Sequence, residues 1–144
     1  MDNNNCTSIC SAVRQSFHTD MIRKPELIAP VTLAYVGDTV YDLFVRTYLI
    51  STSTYGVSKL HVMATGLVCA AAQAAAFHKV EDMLTEEETA MYKRGRNAHS
   101  TPPKNADVIN YKIATGFETL IGYLYFSGKD ERIAQLMAVV LSDK

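Results

Sequence analysis

Two acidic side chains stand in otherwise apolar segments of the sequence, and neither has a basic residue within one helical turn. Asp38 lies in LAYVGDTVYDLFVR (33–46), and Glu118 lies in ATGFETLIGYLY (114–125). A carboxylate in an apolar environment is costly unless it pairs, takes up a proton or binds a metal. If the two segments pack side by side, the acids could share a hard cation such as Mg²⁺, which prefers carboxylate and water ligands. The alternative for each acid alone is a solvated or ion-paired side chain at the edge of a helix.

The residues around the two acids favour a close approach of two helices. At helical spacing Asp38 shares a face with Ala34 and Val45, and the segment is apolar almost all the way round. Such a helix belongs in the middle of a bundle, so we expect Asp38 to be partly buried. Glu118 has Ala114 and Gly122 one turn away on either side. These small residues would let the two backbones approach closely enough for the acids to meet.

The fold class predicted from the whole sequence is all-α, because the long segments have helical periodicity and none alternates as a strand does. Thr85 and Glu88 match a capping box, Asn105 is a candidate N-cap, and Gly128 is a candidate left-handed stop. Residues before Pro25 are expected to add one short helix. The other helices are predicted at about 30–50, 57–80, 85–96, 105–126 and 129–141.

Composition limits the classes of function. A chain of 144 residues with 48% hydrophobic residues can build one core, and a net charge of −1 gives no overall basic signature. Nucleic-acid contact would therefore need a local basic cluster. Three cysteines without a paired metal-binding motif favour a reducing compartment. The sequence shows no signal-peptide pattern and no apolar run of the ~20 residues that cross a bilayer. We expect a soluble, cytoplasmic protein with no membrane partner.

One local basic cluster is present in KRGRNAHSTPPKN (93–105), which holds four cations and several hydrogen-bond donors. Such a cluster suits phosphate and 2′-hydroxyl contacts on A-form RNA, which proteins recognise by shape more than by sequence. The alternative is a solvated helix end whose basic residues offset the helix dipole.

Three motifs together resemble a known family. GDTVYDLFVR (37–46) is similar to the signature helix of the ribonuclease III family, and FETLIGYLY (117–125) is similar to its second acidic helix. The intervening YKRGRNAHSTPPKNADV (92–108) resembles the Mini-III ribonucleases, which lack a double-stranded RNA-binding domain. The resemblance implies an all-helical catalytic domain at 25–144 after an N-terminal extension at 1–24. It also implies a homodimer that hydrolyses double-stranded RNA with Mg²⁺, or Mn²⁺ as a substitute.

The resemblance carries the family's catalytic, metal-binding acids onto Asp38 and Glu118. Larger members have a further glutamate and a further aspartate where this chain has Ala34 and Thr115, and Mini-III members resemble this chain in lacking both. The missing acids also leave open a rival reading, a non-catalytic dimer that binds RNA on the same fold. The Mini-III resemblance further implies maturation of precursor 23S ribosomal RNA, with a ribosomal protein as a possible partner.

The remaining predicted site residues are expected to form the dimer interface, support the metal site or contact RNA. Tyr35 occupies the position at which the family presents an aromatic residue to its dimer partner, although a core aromatic is the alternative. Asp42 would orient metal-bound water or pair with Arg46. The residues expected to contact RNA are Arg94, Arg96, Asn97, Lys104 and Asn105.

Overall fold

A computed structural model describes residues 8–18 and 24–142, and all regular structure in these ranges is helical. The all-α prediction is therefore confirmed. Two short 3₁₀ turns lie at Pro25–Leu27 and Glu81–Met83. The seven α-helices in this part of the chain are α1 (Ile9–Ser16), α2 (Pro30–Thr52), α3 (Val57–Val68), α4 (Ala70–Val80), α5 (Glu86–Arg96), α6 (Val108–Phe126) and α7 (Asp130–Val140).

Helix α6 forms the centre of the bundle. It packs against α2, α4 and α5, and its residues Phe117, Leu120 and Ile121 are fully buried. Helix α2 turns Leu33 and Val45 toward this core, which agrees with its apolar sequence. The burial of a large apolar side chain contributes about 1.5–3 kcal/mol, so packing onto α6 supplies the main driving force for holding α2 in place.

The observed helix ends test the caps and stops that were predicted from the sequence. The capping box is confirmed: the Thr85 hydroxyl accepts from the Glu88 amide at 3.1 Å, and the Thr85 amide donates to Glu88 Oε1 at 2.9 Å. Gly128 is also confirmed as a left-handed stop, with φ of 73°. The predicted cap at Asn105 is wrong. Asp107 caps α6 instead, its carboxylate accepting from the Asn110 amide at 3.1 Å, while Asn105 has φ of 70° within the preceding turn.

The helix predicted at 57–80 is also corrected, because the chain breaks at Cys69. Cys69 has an extended backbone (φ −66°, ψ 161°), and α3 meets α4 and the following turn at 60°. The bend allows Ala74, Phe77 and Val80 to face the core. Over the described ranges, no helix by itself combines the length and apolar character needed to cross a membrane, although this bent pair does so by length and composition.

Helix α1 is tied to the end of the bundle. The Arg14 guanidinium donates to both carboxylate oxygens of Asp130, at 2.9 and 2.8 Å, and to the Tyr125 carbonyl at 3.0 Å. The Ser8 hydroxyl donates to the same Asp130 carboxylate at 3.2 Å. Of the predicted N-terminal extension, residues 1–7 and 19–23 lie outside the described residues, and the domain boundary at 24/25 stays a prediction.

An ion pair between buried Glu88 and partly exposed Arg132 joins α5 to α7 and provides a test of the fold. Arg132 donates to both oxygens of the Glu88 carboxylate, at 2.8 and 2.9 Å, and Glu88 is 5% exposed. Although burial opposes ionisation, the Arg132 hydrogen bonds and the Thr85 amide hold the pKa of Glu88 below its usual value. We expect Arg132→Met to lower the unfolding free energy by about 3 kcal/mol, because it leaves a buried carboxylate without its partner.

Urea unfolding of Arg132→Met measures this loss directly. The matched control is Lys129→Met, which removes an exposed ion pair with Glu87 at 3.5 Å and should change stability by less than about 1 kcal/mol. Equal effects of the two substitutions would contradict the role given to the buried pair.

Candidate active site

Glycine contacts bring α2 and α6 together at the two acids. A Cβ atom on Gly37 would lie 1.9 Å from the Glu118 carbonyl oxygen, and one on Gly122 would lie 2.0 Å from the Leu33 carbonyl oxygen. Only glycine leaves room for backbones this close. Because Asp38 follows Gly37 directly, this crossing places its side chain beside that of Glu118. The small residue predicted at Gly122 has the expected effect, whereas the role of Gly37 was missed.

The two acids differ in their exposure to solvent. Glu118 is half-buried between the helices, as an acid within the central helix should be. Asp38 is exposed, so the expectation that it would be partly buried is wrong. Helix α2 turns its apolar face, including Leu33 and Val40, toward the core, and Asp38 lies with Thr39 on the edge that faces solvent. The site is therefore an open one, with one acid accessible and the other recessed.

The electrostatics of the pair favour a bound cation. Burial, and after it the hydrogen bond and negative charge of Asp38, raise the pKa of Glu118 to about 8, while the Gln73 amide opposes this shift. No Lys or Arg in the described ranges forms an ion pair with either acid. Two adjacent carboxylates without a basic partner repel each other, and a divalent cation between them would remove that repulsion. Their oxygen donors are those preferred by Mg²⁺.

Among the residues that the structure describes, the protein ligands available at this site are the two acids. In the part of the chain that the structure describes, no three His, Cys, Asp or Glu side chains cluster so as to hold a metal ion. Ala34 is buried, and the Thr115 hydroxyl donates to the Tyr111 carbonyl at 3.0 Å, so neither position supplies a ligand. A cation here would complete its shell with water and substrate oxygens, as Mg²⁺ commonly does.

The raised pKa of Glu118 gives a pH dependence of stability that can be measured. Its ordinary value is 4.5 and its folded value is about 8, so the folded chain retains a proton that the unfolded chain releases between these values. The unfolding free energy without metal should therefore fall as pH rises through this window, by at most about 1.4 kcal/mol per pH unit. Urea unfolding in EDTA at several pH values tests this, with Glu118→Gln as the comparison. Parallel pH curves for the two proteins would contradict it.

Asp42 pairs with Arg46, which is one of the two roles predicted for it. Arg46 Nε donates to Asp42 Oδ2 at 3.1 Å, one turn beyond Asp38. The pair is partly exposed, with side-chain exposures of 63% for Arg46 and 35% for Asp42. Such a pair contributes little to stability. It restrains Asp42 at the border of the site.

The residues predicted to contact RNA, which we call the basic region, lie at one end of α5 and in the following loop: Arg94, Arg96, Asn97, Lys104 and Asn105. Arg96 Nε donates to the Asn97 side-chain oxygen at 3.2 Å, and its guanidinium lies 5.6 Å from the centre of the Tyr92 ring. Lys104 and Asn105 are exposed in the turn before α6. Arg94 is already engaged, because its guanidinium donates to the Glu26 carbonyl and holds the turn that leads into α2.

Part of this region forms a groove of about 510 Å³ between α4, α5 and α6, which we call the basic groove. It has three cations and one acid in its wall. The residues that line it are Phe77, His78, Glu81, Leu84, Thr89, Tyr92, Lys93, Arg96, Asn97, Ile109, Lys112 and Ile113.

Tyr35 lies on a different face, where it is 81% exposed. The alternative of a core aromatic is therefore wrong. Tyr35 lines an open groove of about 580 Å³, the apolar groove, and none of the described residues in its wall is charged. Its residues come from α1 and the residue after it, from α2 and from the end of α6: Ile9, Cys10, Val13, Phe17, Tyr35, Val36, Thr39, Val40, Leu43, Tyr125 and Phe126.

Comparison with known proteins decides the family. Residues 31–129 match the sequence model of the Ribonuclease III domain. The chain belongs to the ribonuclease III family. This match spans both acids, the α2–α6 crossing and the basic region, so the family resemblance of the three motifs is confirmed. Ribonuclease III enzymes are endoribonucleases and typically use Mg²⁺, and this chain is an endoribonuclease of that family.

Individual relatives show which members of the family the chain is similar to. The chain is 42% identical over 134 residues to Mini-ribonuclease 3 of Clostridium tetani, an alignment that covers 90% of this chain and 89% of the relative. It is 50% identical over 110 residues to Mini-ribonuclease 3 of Enterococcus faecalis, covering 74% and 83% respectively. A crystal structure of a Fusobacterium nucleatum protein superposes with a TM-score of 0.73 at 29% identity, covering 81% of this chain and 97% of that one.

Proposed function

We propose that the chain hydrolyses double-stranded RNA in a Mg²⁺-dependent reaction, with Asp38 and Glu118 as the catalytic acids that hold the metal. The observation that carries this proposal is the juxtaposition of the two acids at the α2–α6 crossing, where no basic side chain among residues 8–18 and 24–142 forms an ion pair with either. The similarity to Mini-ribonuclease 3 over most of the chain supports the same reaction.

The two acids have complementary tasks in this proposal. Asp38 is exposed, so it would offer oxygen to a cation, whereas recessed Glu118, whose pKa is raised by burial and by Asp38, would have to lose its proton in order to bind one. A bound Mg²⁺ supplies an activated water and charge stabilisation at the phosphate, and Mn²⁺ accepts the same carboxylate ligands. Asp42, held by Arg46, supports the site by orienting bound water. The open side of the site, at Asp38, is where a duplex backbone has access.

The basic region would hold the duplex. In this proposal Arg96 and Lys104 contact phosphates, while the amides of Asn97 and Asn105 bond to 2′-hydroxyls. Arg94 adds charge to the same surface while its hydrogen bond to Glu26 keeps the turn before α2 in place. This arrangement links the RNA-binding surface to the helix that carries Asp38.

A homodimer would cover the apolar groove. A patch of this kind, with Tyr35 projecting from it, is unusual on the surface of a monomer. Two copies related by a twofold axis would each insert the exposed ring against the other's groove, as a self-complementary interface requires. The dimer would then present two pairs of acids to one duplex.

The first test uses a labelled RNA duplex and a matched single strand, each with Mg²⁺ or with EDTA. We expect cleavage of the duplex alone, only with Mg²⁺, leaving 5′-phosphate and 3′-hydroxyl ends. The rival function, a non-catalytic RNA-binding dimer, is favoured by the absence of carboxylates at Ala34 and Thr115. Binding without cleavage of any substrate in any condition would support that rival.

The proposed natural substrate is precursor 23S ribosomal RNA, an assignment that rests on the likeness to Mini-ribonuclease 3. The precursor should be cut at a defined site, and the assay should be run with and without ribosomal proteins to identify a partner that presents the RNA. Cleavage of an unrelated duplex at the same rate and with the same site distribution would argue against this assignment.

Substitution in the basic region should weaken binding without changing its selectivity. Arg96→Ala and Lys104→Ala should each lower the affinity for all duplex sequences and reduce the slope of log affinity against log salt by about one. Fluorescence anisotropy at several salt concentrations measures both quantities. The matched control is Lys129→Ala, beyond the opposite end of α6, which should leave the slope unchanged. An unaltered slope in both variants would show that Arg96 and Lys104 do not contact the RNA phosphates.

A further inference from the structure

Gln73 on α4 is buried beside the candidate active site with an unsatisfied donor. It is 2% exposed, and its Nε2 has no hydrogen-bond partner of ordinary geometry. Within residues 8–18 and 24–142, this is the one buried side-chain nitrogen or oxygen atom without such a partner. A buried amide nitrogen without an acceptor is costly, and most such groups in folded proteins are paired. We therefore looked for a group nearby that could be the acceptor for this amide.

The neighbour of this amide is the Glu118 carboxyl. The Gln73 amide lies near enough to lower the pKa of that carboxyl, against the larger and opposite effects of burial and Asp38, although the two groups do not have the geometry of a hydrogen bond. A carboxylate has two oxygens, and one that binds a cation through one oxygen keeps the other as a hydrogen-bond acceptor. Glu118 can therefore accept from the unpaired amide and hold a cation at the same time.

Helix α4 holds the Gln73 amide in a fixed position. The Gln73 backbone N–H donates to the Cys69 carbonyl at 2.9 Å in the first turn after the bend, and neighbouring Ala74 and Phe77 are buried. Because the bend at Cys69 sets the direction of α4, it also determines that position 73 faces α6. A neutral donor suits the place better than a charged one would. A lysine would compete with the cation, and a third acid would add repulsion to the pair.

We propose that Gln73 is a positioning residue for Glu118: its Nε2–H donates to one carboxylate oxygen and leaves the other oxygen directed toward the cation shared with Asp38. This inference rests on the proposed metal site. It adds a third, uncharged residue to a centre that otherwise depends on two acids from two helices. Groups that orient metal ligands in this way typically affect metal affinity by 10–100-fold.

The test is Mn²⁺ binding without RNA, followed by electron paramagnetic resonance, for the wild type and for Gln73→Met. Methionine has a similar volume but no donor. We expect the dissociation constant for Mn²⁺ to rise by about 10–100-fold. In cleavage assays the Mg²⁺ concentration for half-maximal rate should rise, while KM for the duplex stays unchanged. The matched control is Gln15→Met, an exposed glutamine on α1, which should behave as the wild type.

The outcomes separate this inference from the proposed function. Wild-type protein that binds no Mn²⁺ would overturn the metal site itself, whereas equal Mn²⁺ affinity in the wild type and Gln73→Met would overturn only the role of Gln73. A second measurement on the wild type covers the case in which the variant does not fold. The assigned side-chain amide signal of Gln73 should shift downfield as Mg²⁺ is added, and a signal that stays in place at saturation would refute the proposal.

Discussion

Asp38→Asn and Glu118→Gln should each reduce kcat for duplex cleavage by about 10³-fold or more, since a metal centre contributes several kcal/mol to transition-state stabilisation. Each substitution keeps the shape of the side chain and removes one of the two protein charges that would hold the cation. Single-turnover cleavage of a labelled duplex at saturating enzyme measures the effect on the chemical step. Duplex affinity should change little, because the basic side chains proposed to bind RNA, such as Arg96 and Lys104, lie elsewhere.

Asp42→Asn is the matched control for this experiment. It removes a carboxylate on the same helix, one turn away, but one that is paired with Arg46. We expect a loss of at most about 10–100-fold, as for a residue that acts through bound water, and therefore a smaller loss than for either acid. The double variant of Asp38 and Glu118 should be little worse than either single one, because residues that act as a unit are not additive. A substantial residual rate in both single variants would refute the two-acid site.

Gly37→Ala should lower the unfolding free energy by about 3 kcal/mol and abolish cleavage, because overpacking against backbone forces helices apart. The added Cβ would lie 1.9 Å from the Glu118 carbonyl oxygen and 2.9 Å from the Gly122 nitrogen, so α6 itself must move. Separation of α2 from α6 would also separate Asp38 from Glu118. Urea unfolding and duplex cleavage on the same preparation measure both effects.

The control for Gly37→Ala is another helical glycine with open space around it. A Cβ on Gly66 in α3 meets nothing within 4 Å. Gly66→Ala should therefore stabilise the protein by about 0.5–1 kcal/mol, the usual difference between the two residues within a helix. If both alanine variants were equally stable and active, the close crossing would not be what positions the acids.

Local signals predicted a large part of this fold and failed where tertiary packing decides. The capping box at Thr85 and the stop at Gly128 depend on a few neighbouring residues, and both are confirmed. No proline or glycine stands at Cys69 to signal the break between α3 and α4. The break depends on tertiary packing, since it allows α4 to pack against the core. Two acceptable caps two residues apart, Asn105 and Asp107, could not be ranked from sequence alone.

In the candidate site, too, the sequence predicted what depends on local residue types and not what depends on tertiary packing. The two acids could be selected because charged residues in apolar helices are unusual, but helical periodicity could not show which edge of α2 faces solvent, so the exposure of Asp38 was mispredicted. Gln73 was missed because one glutamine in CAAAQAAAF (69–77) is what a solvated helix also contains. An alanine-rich segment with a lone amide could have served as a signal of close packing around a polar group.

The crossing of α2 and α6 also bears on how the protein acquires activity as it folds. The Thr119 hydroxyl donates to the Pro30 carbonyl at 3.0 Å across 89 positions of sequence, alongside the glycine contacts. Closing so long a loop has a high entropic cost, so contacts of this kind form after local helices do. Neither a nascent chain that ends before α6 nor a partly folded one contains the paired acids. Nuclease activity should therefore appear in a refolding experiment together with native tertiary structure, and after most of the helical signal has returned.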